Sequence, residues 1–303
     1  MKITAIKILF CFFAFIPFAH SQGKVVTIED FKSEYVKKRN VEIWLPEEYY
    51  NGSEKNYPVL YMHDGQNVFN DNTAIHDVSW RAGRTAENLI SQGSVKPFII
   101  VATWSTENRF FEYFPEAAAQ YLSDQDMEQM EKIANQAGLK KIEFTGDEYL
   151  KFLTKELKPY IDSEYRTKTG PESTSVCGSS MGGLISLYAI CEYPEVFGQA
   201  ACVSTHWPVL YDSEDEGPAN AVTKYLEPKI PTSNDHRLYF DYGTEGLDQK
   251  YEAPQKVVDA MMKHAGYIAD ENWVTKKFEG AAHNEKSWGE RFDSVLLFLY
   301  QEK

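Results

Sequence analysis

With 303 residues, 43% of them hydrophobic and 25% charged, the chain is long enough to bury a substantial core, and its composition is neither that of a disordered nor that of a collagen-like protein. Its 45 acidic residues outnumber 31 basic ones, for a formal charge of −14. Such a surface repels nucleic acid and anionic membranes, so the expected ligand is neutral or is met by local positive groups.

In chain order, residues 1–21 read as a signal peptide. Lys2 and Lys7 precede an apolar run from Ile8 to Phe18, and the small residues Ala19 and Ser21 mark cleavage near Ser21. The apolar run is too short to span a bilayer comfortably, and Cys11 belongs to the same segment. The expected location is therefore secreted or periplasmic, with no membrane association after cleavage. Residues 22–303 read as one domain.

Beyond that point, β-type runs occur at "NVEIWLP", "YPVLYMHD", "PFIIVATW", "STSVCG", "GQAACVS", "RLYFDYG" and "WVTKKFEG". They alternate with helical stretches, which predicts an α/β fold: a mostly parallel sheet flanked by helices. A helix from about Ser123 to Ala137, carrying Met127, Met130 and Ile133, ends at Gly138 and reads as part of a small helical insertion near residues 105–145, roofing the site. A longer helix is expected from about Asp147 to Tyr165. Leu150, Leu153, Leu157 and Ile161 share one face of it, and Thr145 with Glu148 has capping-box spacing.

The stretch "VCGSSMGGLIS", residues 176–186, interrupts a strand-like run with glycines and serines and then resumes apolar character. It fits G-x-S-x-G centred on Ser180, in which a serine sits on a tight strand-to-helix turn and glycines relieve crowding around it. Ser180 is thus the candidate nucleophile. Serine needs a base to take its proton and an acid to orient that base. Candidates follow in the order acid, then histidine. His283 lies in the loop after "WVTKKFEG", whereas His206, after "ACVS", is a lesser rival. Glu245 and Asp248 both follow "FDYG"; Asp248 precedes the helix that Pro254 opens and is the preferred acid, with Glu245 as its competitor. Asp241 lies inside the strand and is expected to face the sheet.

An acyl-transfer site also needs oxyanion donors. One is the amide of Met181, directly after the nucleophile, and the other is the amide of Gly65 or Gln66 in the loop "HDGQNVF". His63 and Asp64 are read as structuring that loop, since no second ligand stands at metal spacing. Neither a metal nor a cofactor is expected. Beyond the signal segment the cysteines are Cys177, Cys191 and Cys202, without C-x-x-C, which indicates neither a disulfide framework nor a zinc site.

Together "YMHDGQNVF", "GSSMGGLISLYA", "YFDYGTEGLD" and "AAHNEKSWGER" resemble the "Putative esterase" family of α/β-hydrolases, which includes feruloyl and acetylxylan esterases of carbohydrate esterase family one and enterochelin-type siderophore esterases. The resemblance runs from about Val41 to the C-terminus. It implies an α/β-hydrolase fold and a Ser, Asp or Glu, His triad, with Ser180 and His283 matching the motifs directly. At the acid the chain departs from relatives that place it three residues after the glycine, where Gly246 stands here; a slightly longer loop brings Asp248 to that place.

Trp104, Arg109 and Trp207 stand at strand ends or just beyond them, and with Gln66 they are the candidate substrate contacts, because sugars and phenolic acyl groups stack on aromatic faces and arginine meets carboxylates or acyl oxygens. The leading expectation is a secreted serine esterase that removes acetyl or feruloyl groups from carbohydrates. A siderophore ester hydrolase and a non-catalytic carbohydrate-binding protein on a hydrolase scaffold are the alternatives. The expected partner is a small-molecule or oligosaccharide ester, with no nucleic acid.

Overall fold

All seven runs of strand-like patterning form strands, and an eighth precedes them. In the computed structural model, which describes residues 23–301 apart from 53, 137, 139–141 and 211–216, the strands are β1 (Lys24–Phe31), β2 (Arg39–Leu45), β3 (Val59–Met62), β4 (Ile99–Thr103), β5 (Thr174–Ser179), β6 (Gln199–Val203), β7 (Arg237–Glu245) and β8 (Trp273–Ala282). The expected signal peptide, residues 1–21, lies outside the described residues. β1 was not foreseen because it is an edge strand with most of its side chains in solvent, so no apolar face marks it.

One sheet takes the order β1-β2-β4-β3-β5-β6-β7-β8. β1 and β4 both run antiparallel to β2, and every pairing from β4 through to β8 is parallel. The helices between and after the strands are α1 (Ala82–Ser91), α2 (Arg109–Glu112), α3 (Asp124–Gln136), α4 (Gly146–Lys151), α5 (Lys158–Glu164), α6 (Met181–Glu192), α7 (Gly217–Leu226), α8 (Glu252–His264), α9 (Glu285–Glu290) and α10 (Phe292–Tyr300). None of them is long and apolar enough to cross a membrane.

Two apolar layers sandwich the sheet, and strand alternation decides which residue enters which. Val59, Tyr61, Val176, Leu238 and Phe240 join the layer filled by α4 to α8. Leu60, Met62, Cys177 and Tyr239 join the layer beneath α1, α9 and α10. Burial on both faces is why the central strands read as nearly continuous apolar runs. Cys177, Cys191 and Cys202 are free thiols within these layers, and burial pushes each of them up from the usual thiol range.

The insertion between β4 and β5 contains α2, a 3-10 segment (Glu116–Tyr121) and α3. Ser123 and Asp126 cap its main helix reciprocally: Asp126 Oδ2 accepts from the Ser123 N–H at 2.8 Å, and Ser123 Oγ accepts from the Asp126 N–H at 3.2 Å. The expected helix over 147–165 forms without interruption as α4, a π-helical stretch (Phe152–Leu157) and α5. Its apolar face is buried as the spacing predicts. Thr145 does not cap it: the hydroxyl accepts from Asn108 Nδ2 at 3.2 Å, which ties the insertion to this helix.

Candidate active site

Parallel strands end on the same side of a sheet, so the loops after β3, β5, β6, β7 and β8 converge there. Ser180 follows β5 and precedes α6 with φ 59° and ψ −123°, a conformation that side-chain-bearing residues adopt only under constraint. Its N–H donates to the Val203 carbonyl at 3.0 Å, and its own carbonyl accepts from the N–H groups of Gly183 at 2.9 Å and His206 at 3.2 Å. Crowding explains the glycine two residues earlier: a Cβ at Gly178 would lie 2.8 Å from the His63 ring and 2.9 Å from the Gly182 backbone. Met181 opens α6, where backbone N–H groups have no intrahelical acceptor and can serve an anion.

The histidine and the acid meet. His283 Nδ1 lies 2.6 Å from Asp248 Oδ1, with the Asp248 side chain fully buried. Asp248 Oδ2 accepts from Ser204 Oγ at 2.5 Å and from the Gly243 N–H at 2.7 Å. Burial alone would raise this carboxyl, but the histidine, the hydroxyl and the amide together hold it below the usual carboxylate range. The His283 ring is flanked edge-on by Trp288, with centroids 4.9 Å apart, and by Tyr251 at 5.6 Å. Asn284 caps α9 through the Ser287 N–H at 2.9 Å, fixing the loop that carries His283.

The competing candidates take neither of these two places. Glu245 is exposed at the end of β7, in register with Ala282. His206 is fully buried, with its Nδ1 2.7 Å from the Tyr251 hydroxyl. Burial pushes it down to about 3, so it stands neutral beside the site.

The loop after β3 carries the second candidate oxyanion donor. Asp64 is left-handed, at φ 56° and ψ 48°. Arg109 grips it with two bonds, Nε to Oδ1 at 2.6 Å and Nη2 to Oδ2 at 2.7 Å, and reaches the Ser179 carbonyl at 3.5 Å. His63 Nδ1 lies 2.8 Å from the Tyr149 hydroxyl, which is 2.8 Å from Thr103 Oγ1. Burial pushes His63 down to about 3. Gly65 presses on the neighbouring strand end: a Cβ there would lie 2.8 Å from the Trp104 ring and 2.9 Å from the Ala102 and Thr103 backbone.

Of the expected substrate contacts, Gln66 is engaged at both ends of its amide, donating to Ser105 Oγ at 2.7 Å and accepting from the Ser105 N–H at 3.1 Å. Trp104 donates to Glu42 Oε2 at 3.2 Å and is half-buried. Trp207 lies in the core, donating to Gln255 Oε1 at 3.0 Å. Sequence reasoning missed Ser204, Tyr251 and Arg291, which surround the acid and the histidine from β6, the β7–α8 turn and the α9–α10 junction. No local motif marks Ser204 or Tyr251, and Arg291 closes the stretch "AAHNEKSWGER" without any spacing there that signals its role.

Residues 33–299 match the family model described as "Putative esterase". The chain is 26% identical over 269 residues to the uncharacterized protein YbbA of Bacillus subtilis, covering 86% of this chain and 92% of that one. It is 26% identical over 284 residues to an endo-1,4-beta-xylanase/feruloyl esterase of Xylanibacter ruminicola, covering 93% of this chain and 32% of that longer protein. Among solved structures, its fold resembles a ferulic acid esterase, with a TM-score of 0.61 at 19% identity over 92% of this chain and 99% of the other. It also resembles the enterobactin esterase FES of Shigella flexneri, with a TM-score of 0.64 at 18% identity over 92% and 59%.

Proposed function

The chain belongs to the "Putative esterase" family and is a serine carboxylic-ester hydrolase of the α/β-hydrolase fold; on that premise we propose that Ser180, His283 and Asp248 form its catalytic triad. Ser180 Oγ attacks the ester carbonyl while His283 takes its proton, and Asp248 holds the imidazole tautomer and stabilises the imidazolium. The tetrahedral oxyanion accepts from the amide of Met181 and from that of Gly65 or Gln66. Collapse expels the alcohol, protonated by His283, and leaves an acyl-enzyme at Ser180. Water activated by the same histidine then releases the acid and restores the serine.

The observation that carries this reading is the 2.6 Å contact between Asp248 and His283, together with the constrained turn at Ser180. For the substrate, the reading is an acetyl or feruloyl ester of a carbohydrate, met by an exported protein. The strongly acidic chain favours a neutral ligand. The likeness to the xylanase/feruloyl esterase over 93% of this chain points the same way. Trp104 and Arg109, half-buried near the ends of the strands, would border the acyl site.

Rates on acetylated xylan, methyl ferulate and a triscatecholate lactone test this directly. The carbohydrate reading expects the first or second to be turned over at least about tenfold better than the lactone, a difference of about 1.4 kcal/mol in transition-state binding. Preference for the lactone would replace it with siderophore ester hydrolysis.

A further inference from the structure

Behind the Asp248 carboxylate lies a buried charge pair that ester hydrolysis does not itself require. Arg291 and Asp241 are 3.0 Å apart, with side chains 4% and 0% exposed. The same Arg291 Nη2 donates to Ser204 Oγ at 2.6 Å and lies 3.8 Å from Asp248 Oδ2. Proton order along this chain is fixed by chemistry. Arginine can only donate, and a serine hydroxyl has one proton. Ser204 therefore accepts from Arg291 and gives its proton to Asp248 Oδ2, leaving Oδ1 for His283.

Asp241 is held equally firmly. Its Oδ1 accepts from the Ser204 N–H at 3.2 Å and its Oδ2 from the Tyr239 hydroxyl at 2.9 Å. By contrast, Nε and Nη1 of Arg291 are buried without an acceptor among the described residues. The guanidinium lies over the Phe278 ring, 5.1 Å from its centroid, and spends Nη2 on Asp241 and Ser204 at the acid side of the site.

We propose that Arg291 and Asp241 are positioning residues that act through Ser204: they lock the Asp248 carboxylate against His283, and they cancel each other's charge so that the pair adds no net charge to the field at the imidazolium formed in catalysis. This rests on the triad proposed above. The other groups around His283 leave the balance to this pair. Tyr251, on the turn before α8, holds His206, which burial keeps neutral. Glu285 on α9 is turned to Asn67 Nδ2 at 3.2 Å. On the far side of Asp241, burial keeps Tyr239, Cys177 and Cys202 protonated.

The test is the pH dependence of kcat/KM on p-nitrophenyl acetate. Asp241→Asn leaves a surplus positive charge, which disfavours the imidazolium, so the acid limb moves to lower pH. Arg291→Gln leaves a surplus negative charge, so the limb moves to higher pH. Each shift should be about half a unit or more, and the double variant should fall back to within about 0.3 unit of wild type. Should Arg291→Gln fail to fold, Asp241→Asn carries the sign alone. Slower variants whose acid limbs stay at the wild-type position, or two single variants that shift in the same direction, would overturn the proposal and leave the pair a packing role. His283→Ala and Asp248→Asn, assayed alongside, separate the two ideas: if they remain active the triad reading fails, and if they are inactive while the limbs stay fixed only this inference does.

Discussion

Asp248 Oδ1 and His283 Nδ1 are 2.6 Å apart although 35 residues separate them in the chain, while Glu245, the competing acid in sequence, ends its strand in solvent. An acid that holds a catalytic imidazole acts on turnover more than on binding. Asp248→Asn should therefore lower kcat by about 10² to 10⁴ with little change in KM. Glu245→Gln should cost less than about tenfold. Both are read with melting temperatures, and a larger loss for Glu245→Gln at unchanged melting temperature would reverse the assignment.

Ser180→Ala and His283→Ala should each reduce kcat by about 10⁴ to 10⁶ in a folded protein. A fluorophosphonate should label the wild-type chain at Ser180 and leave Ser180→Ala unlabelled. Either variant keeping more than about a tenth of the wild-type rate refutes its role in the triad.

Gly65 has no room for a methyl group against Trp104 and the end of β4. Gly65→Ala should push the oxyanion loop away and cost about 10² to 10³ in kcat with KM nearly unchanged, the size of losing one oxyanion donor. Full activity in that variant would show that the loop supplies no donor.

Arg109 donates to both oxygens of the Asp64 carboxylate, through Nε and Nη2, which favours a loop-holding role over recognition of substrate charge. Arg109→Ala should then slow neutral and carboxylate-bearing acyl esters by similar factors, mostly in kcat. A rise in KM confined to carboxylate-bearing esters would instead make Arg109 a substrate contact.

His63 and His206 are both held at about 3 by burial, against an ordinary value of 6.5. The unfolded chain gains protons below about pH 6.5 that the fold refuses. The stability from keeping these rings neutral is therefore whole above that pH and is lost as pH falls towards about 3, by on the order of 1.4 kcal/mol per pH unit for each histidine. Urea midpoints across this range should fall steeply, and more gently for His63→Gln. An equal slope in the variant would remove His63 from the account.

What the sequence determined by itself is local. Strand runs carry their apolar pattern within four to ten residues, and the turn around Ser180 announces itself through glycines whose need is steric and immediate. The serine turn proposed to carry the nucleophile, the two alternative amides proposed for the oxyanion and the histidine loop were legible for that reason. β1 was not, because an edge strand in solvent has no apolar face to show, and the π-helical stretch after α4 left no mark because its buried leucines still share one face. What only the tertiary structure decided are the partnerships of polar groups across loops: Ser204 with Asp248 over 44 residues, Arg109 with Asp64 over 45 and Arg291 with Asp241 over 50. A buried charge gains its meaning from whatever meets it there. The partner is chosen by how separate strand ends converge on one side of the sheet, and no short stretch of sequence contains that information.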